Sequence, residues 1–243
     1  KPRFRAFLYR EMATDTRNII FLGKYLLAVA MFFLYWPLQG VEFVARSGMA
    51  GAIIFCFLVF ATSIFESLIT TFAKEGDRIV FLLPALHSWP GVGLAKFWAA
   101  VVEMLPLLPV AVLVVGSRWH WSGWETLTFA VCLALVTALY LAITVVAATG
   151  LLSLENHDFT LWEGMIYEQI LGYLDPRIMR RFFRLQIIPA LLVFAIWMLH
   201  IYFPAEDFIT VLWYLNMVMA ALVIGVLLAG QRVLTFRLAA LLK

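Results

Sequence analysis

Charge is scarce in this sequence: Asp, Glu, Lys and Arg make up 14% of its 243 residues. A water-soluble globule is excluded, because 64% hydrophobic residues leave too little polar surface to cover a core. The mean hydropathy of +0.95 makes the bilayer the natural solvent, where a spanning helix needs roughly 20 mainly apolar residues. Cysteine is nearly absent. Cys56 and Cys132 both lie inside apolar runs, which favours unpaired packing over a lipid-buried disulfide and leaves the redox compartment open. His87, His120, His157 and His200 are scattered without an HxxxH or HExxH spacing, so no metal-ligand motif exists. No G-x-x-x-x-G-K-[ST] loop occurs, so the chain has no nucleotide-binding motif of its own. The sequence opens at Lys1 without the basic, apolar and small-residue pattern of a signal peptide, as expected of a trimmed chain. Internal repeats of the kind carriers show are not visible.

What is abundant is long apolar runs. Six stand out, near residues 18–38, 48–73, 94–116, 123–152, 185–203 and 208–230, giving an expected all-α integral membrane protein with six transmembrane helices in one transmembrane domain, 1–243. Basic residues are retained in the cytoplasm. Fifteen Lys and Arg fall on one side of this arrangement, including Lys1, Arg3, Arg5, Lys74, Arg78, Lys96 and Arg237, against Arg46 and Arg118 on the other. Both termini are therefore expected in the cytoplasm, in a multi-pass protein of the cell membrane. Trp36, Trp119, Trp121, Trp124, Tyr202 and Trp213 gather at the opposite ends, where amphipathic rings prefer to sit. The outer loops are short, the largest at 39–50, so no outer domain is expected. The net charge of +3 reflects the inner bias and gives no support for a nucleic-acid partner.

Two inner segments carry patterns of their own. In 1–17, Phe4, Phe7, Leu8 and Met12 recur at helical spacing with Arg3, Arg10 and Arg17 elsewhere around the axis. This is an N-terminal interfacial amphipathic helix, or equally a basic tail that sets topology. The longest polar piece, 153–184, has Thr160 and Glu163 in a capping-box pattern and a second helix start at Asp175-Pro176. Arg177, Arg180, Arg181 and Arg184 then share one face. That stripe suits anionic headgroups or a partner's acidic surface, or simply anchors the fifth span.

Lys24, Glu66 and Glu103 lie within the apolar runs, about 9–12 Å from their inner boundaries at 1.5 Å per residue. Ionisable groups at that depth normally face protein or water and have partners. A buried cluster joining the first three spans is the favoured account, with a proton relay or substrate-binding group as the alternative. Ala134, Ala138 and Ala142 repeat every fourth residue, as do Ala221, Gly225 and Ala229, a spacing that permits close helix packing.

The segment KEGDRIVFLLPALHSWPG, 74–91, interrupts the apolar pattern. Glu75, Asp77 and Arg78 crowd together, and a short helix over 78–83 with Leu82 and Leu83 is stopped by Pro84, before Leu86. Together with FRAFLYREMATDTRN upstream and GVGLAKFW downstream, it resembles the membrane subunit of ATP-binding-cassette exporters of the type-two permease class. The similarity runs from Phe4 to about Gly116. The acidic stretch reads Glu75-Gly76-Asp77-Arg78 where the family commonly has a Glu-Arg-Gly-Thr-like run, and only 204–207 stands where many members have a sizeable outer element. The resemblance implies a second permease subunit, identical or not, and a separate ABC ATPase on the inner face that holds ATP and magnesium. It also implies that 74–93 is a cytoplasmic coupling helix gripped by that ATPase through Glu75, Asp77, Arg78, Leu82, Leu83, Pro84 and Leu86.

Function follows as an expectation: a transporter membrane subunit, not an enzyme, surrounded by membrane lipids and driven by alternating access. Other classes remain open. One is a structural subunit of a membrane complex or a proton-coupled carrier; another is an intramembrane enzyme using Glu66 and Glu103 as paired carboxylates.

Overall fold

In hydrocarbon every backbone N–H and C=O must find its partner within the protein, and a helix does this within one segment. The computed structural model is helical over nearly all of the residues it describes, 19–38, 40–73, 89–148 and 176–241. It has helices α1 (Ile19–Leu38), α2 (Glu42–Ala73), α3 (Trp89–Met104), α4 (Leu107–Trp119), α5 (Gly123–Ala148), α6 (Pro176–Tyr202) and α7 (Ala205–Leu241). No strand occurs among the described residues. Four stretches are long and apolar enough to cross a membrane: Arg46–Ser63, Gly93–Ser117, Gly123–Ala147 and Asp207–Arg232. Helices α1 and α6 contribute shorter apolar lengths, Tyr25–Leu38 and Ile187–Tyr202.

Three tight connections stack at one end of the bundle. Between α1 and α2, Gly40 N–H donates to the Pro37 carbonyl at 3.1 Å and Val41 N–H to that of Leu38 at 3.0 Å. Between α4 and α5, His120 takes the left-handed conformation (φ 51°) that ends α4. Ser122 and Glu125 then cap α5 reciprocally, with Ser122 N–H donating to Glu125 Oε2 at 2.7 Å and Glu125 N–H to Ser122 Oγ at 3.3 Å. This is a capping box, S-x-x-E, that the sequence displays openly. Between α6 and α7, Phe208 N–H reaches the Pro204 carbonyl at 2.8 Å. The interfacial arm 1–17, the segment 74–88 and the stretch 149–175 lie outside the described residues.

Three expectations change. The largest outer loop was expected over 39–50, but 42–47 is helical and joins α2 through a kink at Gly48 (φ 50°, ψ −133°); glycine permits that conformation and the sequence does not announce it. The third span is two helices rather than one, broken at Leu105 and Pro106. Pro176 and the fifth span belong to one continuous α6, and Asp175 lies outside the described residues.

Helix α5 is the axis of the bundle. Two-thirds of its Gly123–Ala147 stretch is buried, against 22% for Asp207–Arg232 of α7. It packs on α2, α3, α4, α6 and most extensively α7. Phe129, Leu133, Val136, Leu139 and Ala142 fill its faces. From α2, Phe57 stands edge-on to Tyr140 with centroids 5.7 Å apart, and the Tyr140 hydroxyl donates to the Ala61 carbonyl at 3.3 Å. Phe60 meets Phe32 of α1 at 5.6 Å in the same edge-to-face manner, a geometry worth about 0.5–1.5 kcal/mol beyond area burial. Cys56 and Cys132 are free thiols inside this core.

Candidate functional site

Prolines build the most unusual local feature. Pro106 and Pro109 have no N–H, so the carbonyls of Val102 and Leu105 lose their helical donors four residues on. The chain tightens instead, and Leu105 N–H reaches the Val101 carbonyl at 3.0 Å and that of Val102 at 3.3 Å. No side chain caps the start of α4. The break lets one span change partners: α3 packs against α7, α5 and α2, whereas α4 packs against α1 and α5.

Glu103 sits one residue before the end of α3, near the middle of the apolar stretch Gly93–Ser117. It is partly buried and lies close enough to Tyr25 of α1 to act on its hydroxyl electrostatically. Lys24 is the neighbour of Tyr25 on α1, and Glu66 lies on α2. The side chains of Lys24 and Glu66 lie outside the described residues, so of the expected three-charge cluster the structure places Glu103 alone, beside Tyr25. Lys96 needs a correction. It was counted with the charges of the inner surface, yet it is 3% exposed, inside the Gly93–Ser117 stretch. Lys96 and Glu103 are seven residues apart and so share a face of α3, about 10 Å apart along the axis.

Arg177, Arg180 and Arg181 occupy the first two turns of α6, and Arg184 follows, exposed. The side chains of the first three, like the coupling residues from Glu75 to Leu86, lie outside the described residues. The small-residue patterns divide. Ala142 is fully buried and Ala134 and Ala138 partly so, whereas Ala221, Gly225 and Ala229 are exposed and nothing stands within 4 Å of a Cβ built on Gly225. The close approach of α7 to α5 uses Gly230 instead, against Val146.

Asn216, Thr128 and the contacts of three belt tryptophans escaped the sequence reading. Asn216 is 2% exposed in the middle of α7, and neither amide atom has a partner among the described residues. Thr128 accepts a bond from Trp213 Nε1 at 3.0 Å, joining α5 to α7, and Trp124 stacks on Trp213 at 5.1 Å. Trp36 Nε1 donates to the Val114 carbonyl at 2.9 Å, joining α1 to α4. A lone Asn inside an apolar run was visible; its orientation was not. Among the described residues no His, Cys, Asp or Glu side chains gather as a metal site would require.

These features define a class: a helical, multi-pass membrane protein with an ionisable group beside a broken span. No protein-family model, curated protein or solved structure matches the chain.

Proposed function

We propose that this chain is the six-span transmembrane subunit of an ATP-driven exporter. The feature that carries this reading is the ionic, proline-bounded sequence 74–91. Its residues 74–88 connect the end of α2 to the start of α3 in the chain, and those two helix ends lie opposite the three tight hairpins, at the same end as the start of α6. A force delivered at a membrane surface needs a protruding lever continuous with spanning helices, and this segment has the sequence of one. Its charges suit a specific interface with a partner ATPase. ATP and magnesium belong to that partner, and two such subunits enclose the path in the plasma membrane with their termini in the cytoplasm. The break at Pro106 supplies a place where one span can bend while its two halves share α5 and otherwise keep different neighbours.

Co-purification tests the reading. An affinity-tagged chain extracted in mild detergent should retain an ATPase, and Arg78→Glu should release it. A chain that retains none, or photo-cross-linkers at Leu82 and Leu86 that find lipid alone, would refute the proposal. A proton-coupled carrier is the second reading, favoured by Glu103 at mid-depth. There, transport should follow an imposed proton gradient without any ATPase, and Glu103→Gln should abolish it.

A further inference from the structure

Among the described residues, the kink in α2 is the one place where a helix interior takes a conformation that side chains other than glycine avoid: Gly48 has φ 50° and ψ −133°. It separates the short helical piece 42–47 from the spanning remainder. The last carbonyls of such a piece have no donor within their own helix. His200, in the last turn of α6, supplies one: its Nε2 lies 3.3 Å from the Arg46 carbonyl. The same ring fills the space beside the kink, since a Cβ built on Gly48 would stand 3.3 Å from His200 Cε1 and 3.4 Å from Nε2. Its other side rests edge-on against Phe208 of α7, with centroids 5.1 Å apart. One imidazole thus ties α2, α6 and α7 together at the hairpin end. Its Nδ1 is buried without a partner among the described residues. Ser47 and Met49, flanking the kink, are 5% and 7% exposed beneath this contact.

We propose that 42–47 is a lid over this end of the bundle, hinged at Gly48 and latched shut by His200. The hinge conformation is open to glycine alone, and the latch is one hydrogen bond plus the packing of one ring. Hinge segments are commonly a few element-terminal residues that absorb a large dihedral change.

The test uses the full chain in sealed membrane vesicles of both orientations, with Cys56 and Cys132 replaced by Ala. Ser47→Cys is the reporter and a charged, membrane-impermeant methanethiosulfonate the probe. The reporter should react slowly in the parent. His200→Ala should speed it by about tenfold, as expected when one hydrogen bond to the closed state is lost. Gly48→Ala should do the same by forcing α2 straight. His200→Gln, which can place an amide N–H where Nε2 stands, should stay within about twofold of the parent. Reaction no faster in His200→Ala, or equally fast in His200→Gln, overturns the latch. An Ile53→Cys reporter in the core should stay unlabelled throughout; its labelling in His200→Ala would show general loosening and also overturn it. None of these outcomes depends on an ATPase, so the latch and the exporter reading stand or fall separately.

Discussion

Gly225 and Gly230 look alike in the sequence, and their substitution by Ala should have opposite effects. Both lie in α7 five residues apart. Gly230 is buried against Val146 of α5, where an added Cβ would overlap Val146 Cγ2 and stand 3.4 Å from its Cβ and 3.5 Å from Cγ1. Valine in a helix has essentially one χ1 rotamer, so the methyl cannot swing aside and the helices must part. Overpacking of that kind costs about 1–3 kcal/mol, while Gly to Ala in a helix interior gains about 0.8–1.0 kcal/mol. The overlap is with a stiff side chain, so Gly230→Ala should destabilise by about 1–2 kcal/mol net. Gly225→Ala meets open space and should stabilise by up to about 1 kcal/mol. Unfolding midpoints in mixed micelles of mild detergent and dodecyl sulfate would measure both. Val146→Ala in the Gly230→Ala background should restore the loss. Equal midpoints for the two glycine variants, or no rescue, would refute the register assigned to α5 and α7. A destabilising Gly225→Ala would show instead that another chain covers the Ala221, Gly225 and Ala229 face.

The Trp213–Thr128 bond predicts a coupling of about 0.5–1.5 kcal/mol in a double-mutant cycle of Trp213→Phe and Thr128→Val; additive effects would remove it as a link between α5 and α7. Ser122→Ala removes the capping box of α5 and should lower stability by about 0.5–2 kcal/mol, measured by the same unfolding midpoints. Cys56 and Cys132 are buried free thiols, so N-ethylmaleimide should modify neither in the folded protein and both after unfolding. Modification of either in the folded state would mean that the core is open. Glu103→Gln keeps the size of the side chain and removes its ionisable group, so under the proton-coupled reading it should abolish gradient-driven transport in a vesicle flux assay. Full transport would remove Glu103 from the path.

Sequence alone determined that this chain is helical and belongs in a membrane, because that conclusion needs only composition and run length. Apolar stretches of the length of α5 and α7 have no other stable solvent, and hydrocarbon allows their backbone few other conformations. Prolines 106 and 109 and the Ser122–Glu125 pair stand in the sequence too, but the sequence reading passed over them. Proline within a spanning run, however, is compatible with a gentle kink or a break, and the neighbours that re-satisfy the freed groups decide which. Tertiary structure alone decided direction: Ala221, Gly225 and Ala229 face outward while Gly230 meets Val146. It alone turned Lys96 from a surface charge into a buried one and left Asn216 in the core. It alone put His200 on the Arg46 carbonyl, across 154 residues of chain. In a bilayer both the lipid-facing and the protein-facing sides of a helix are apolar, so the hydrophobic periodicity that orients a helix in water is nearly flat here. Orientation is then set by shape and by a few hydrogen bonds between helices, which exist only once the helices have packed.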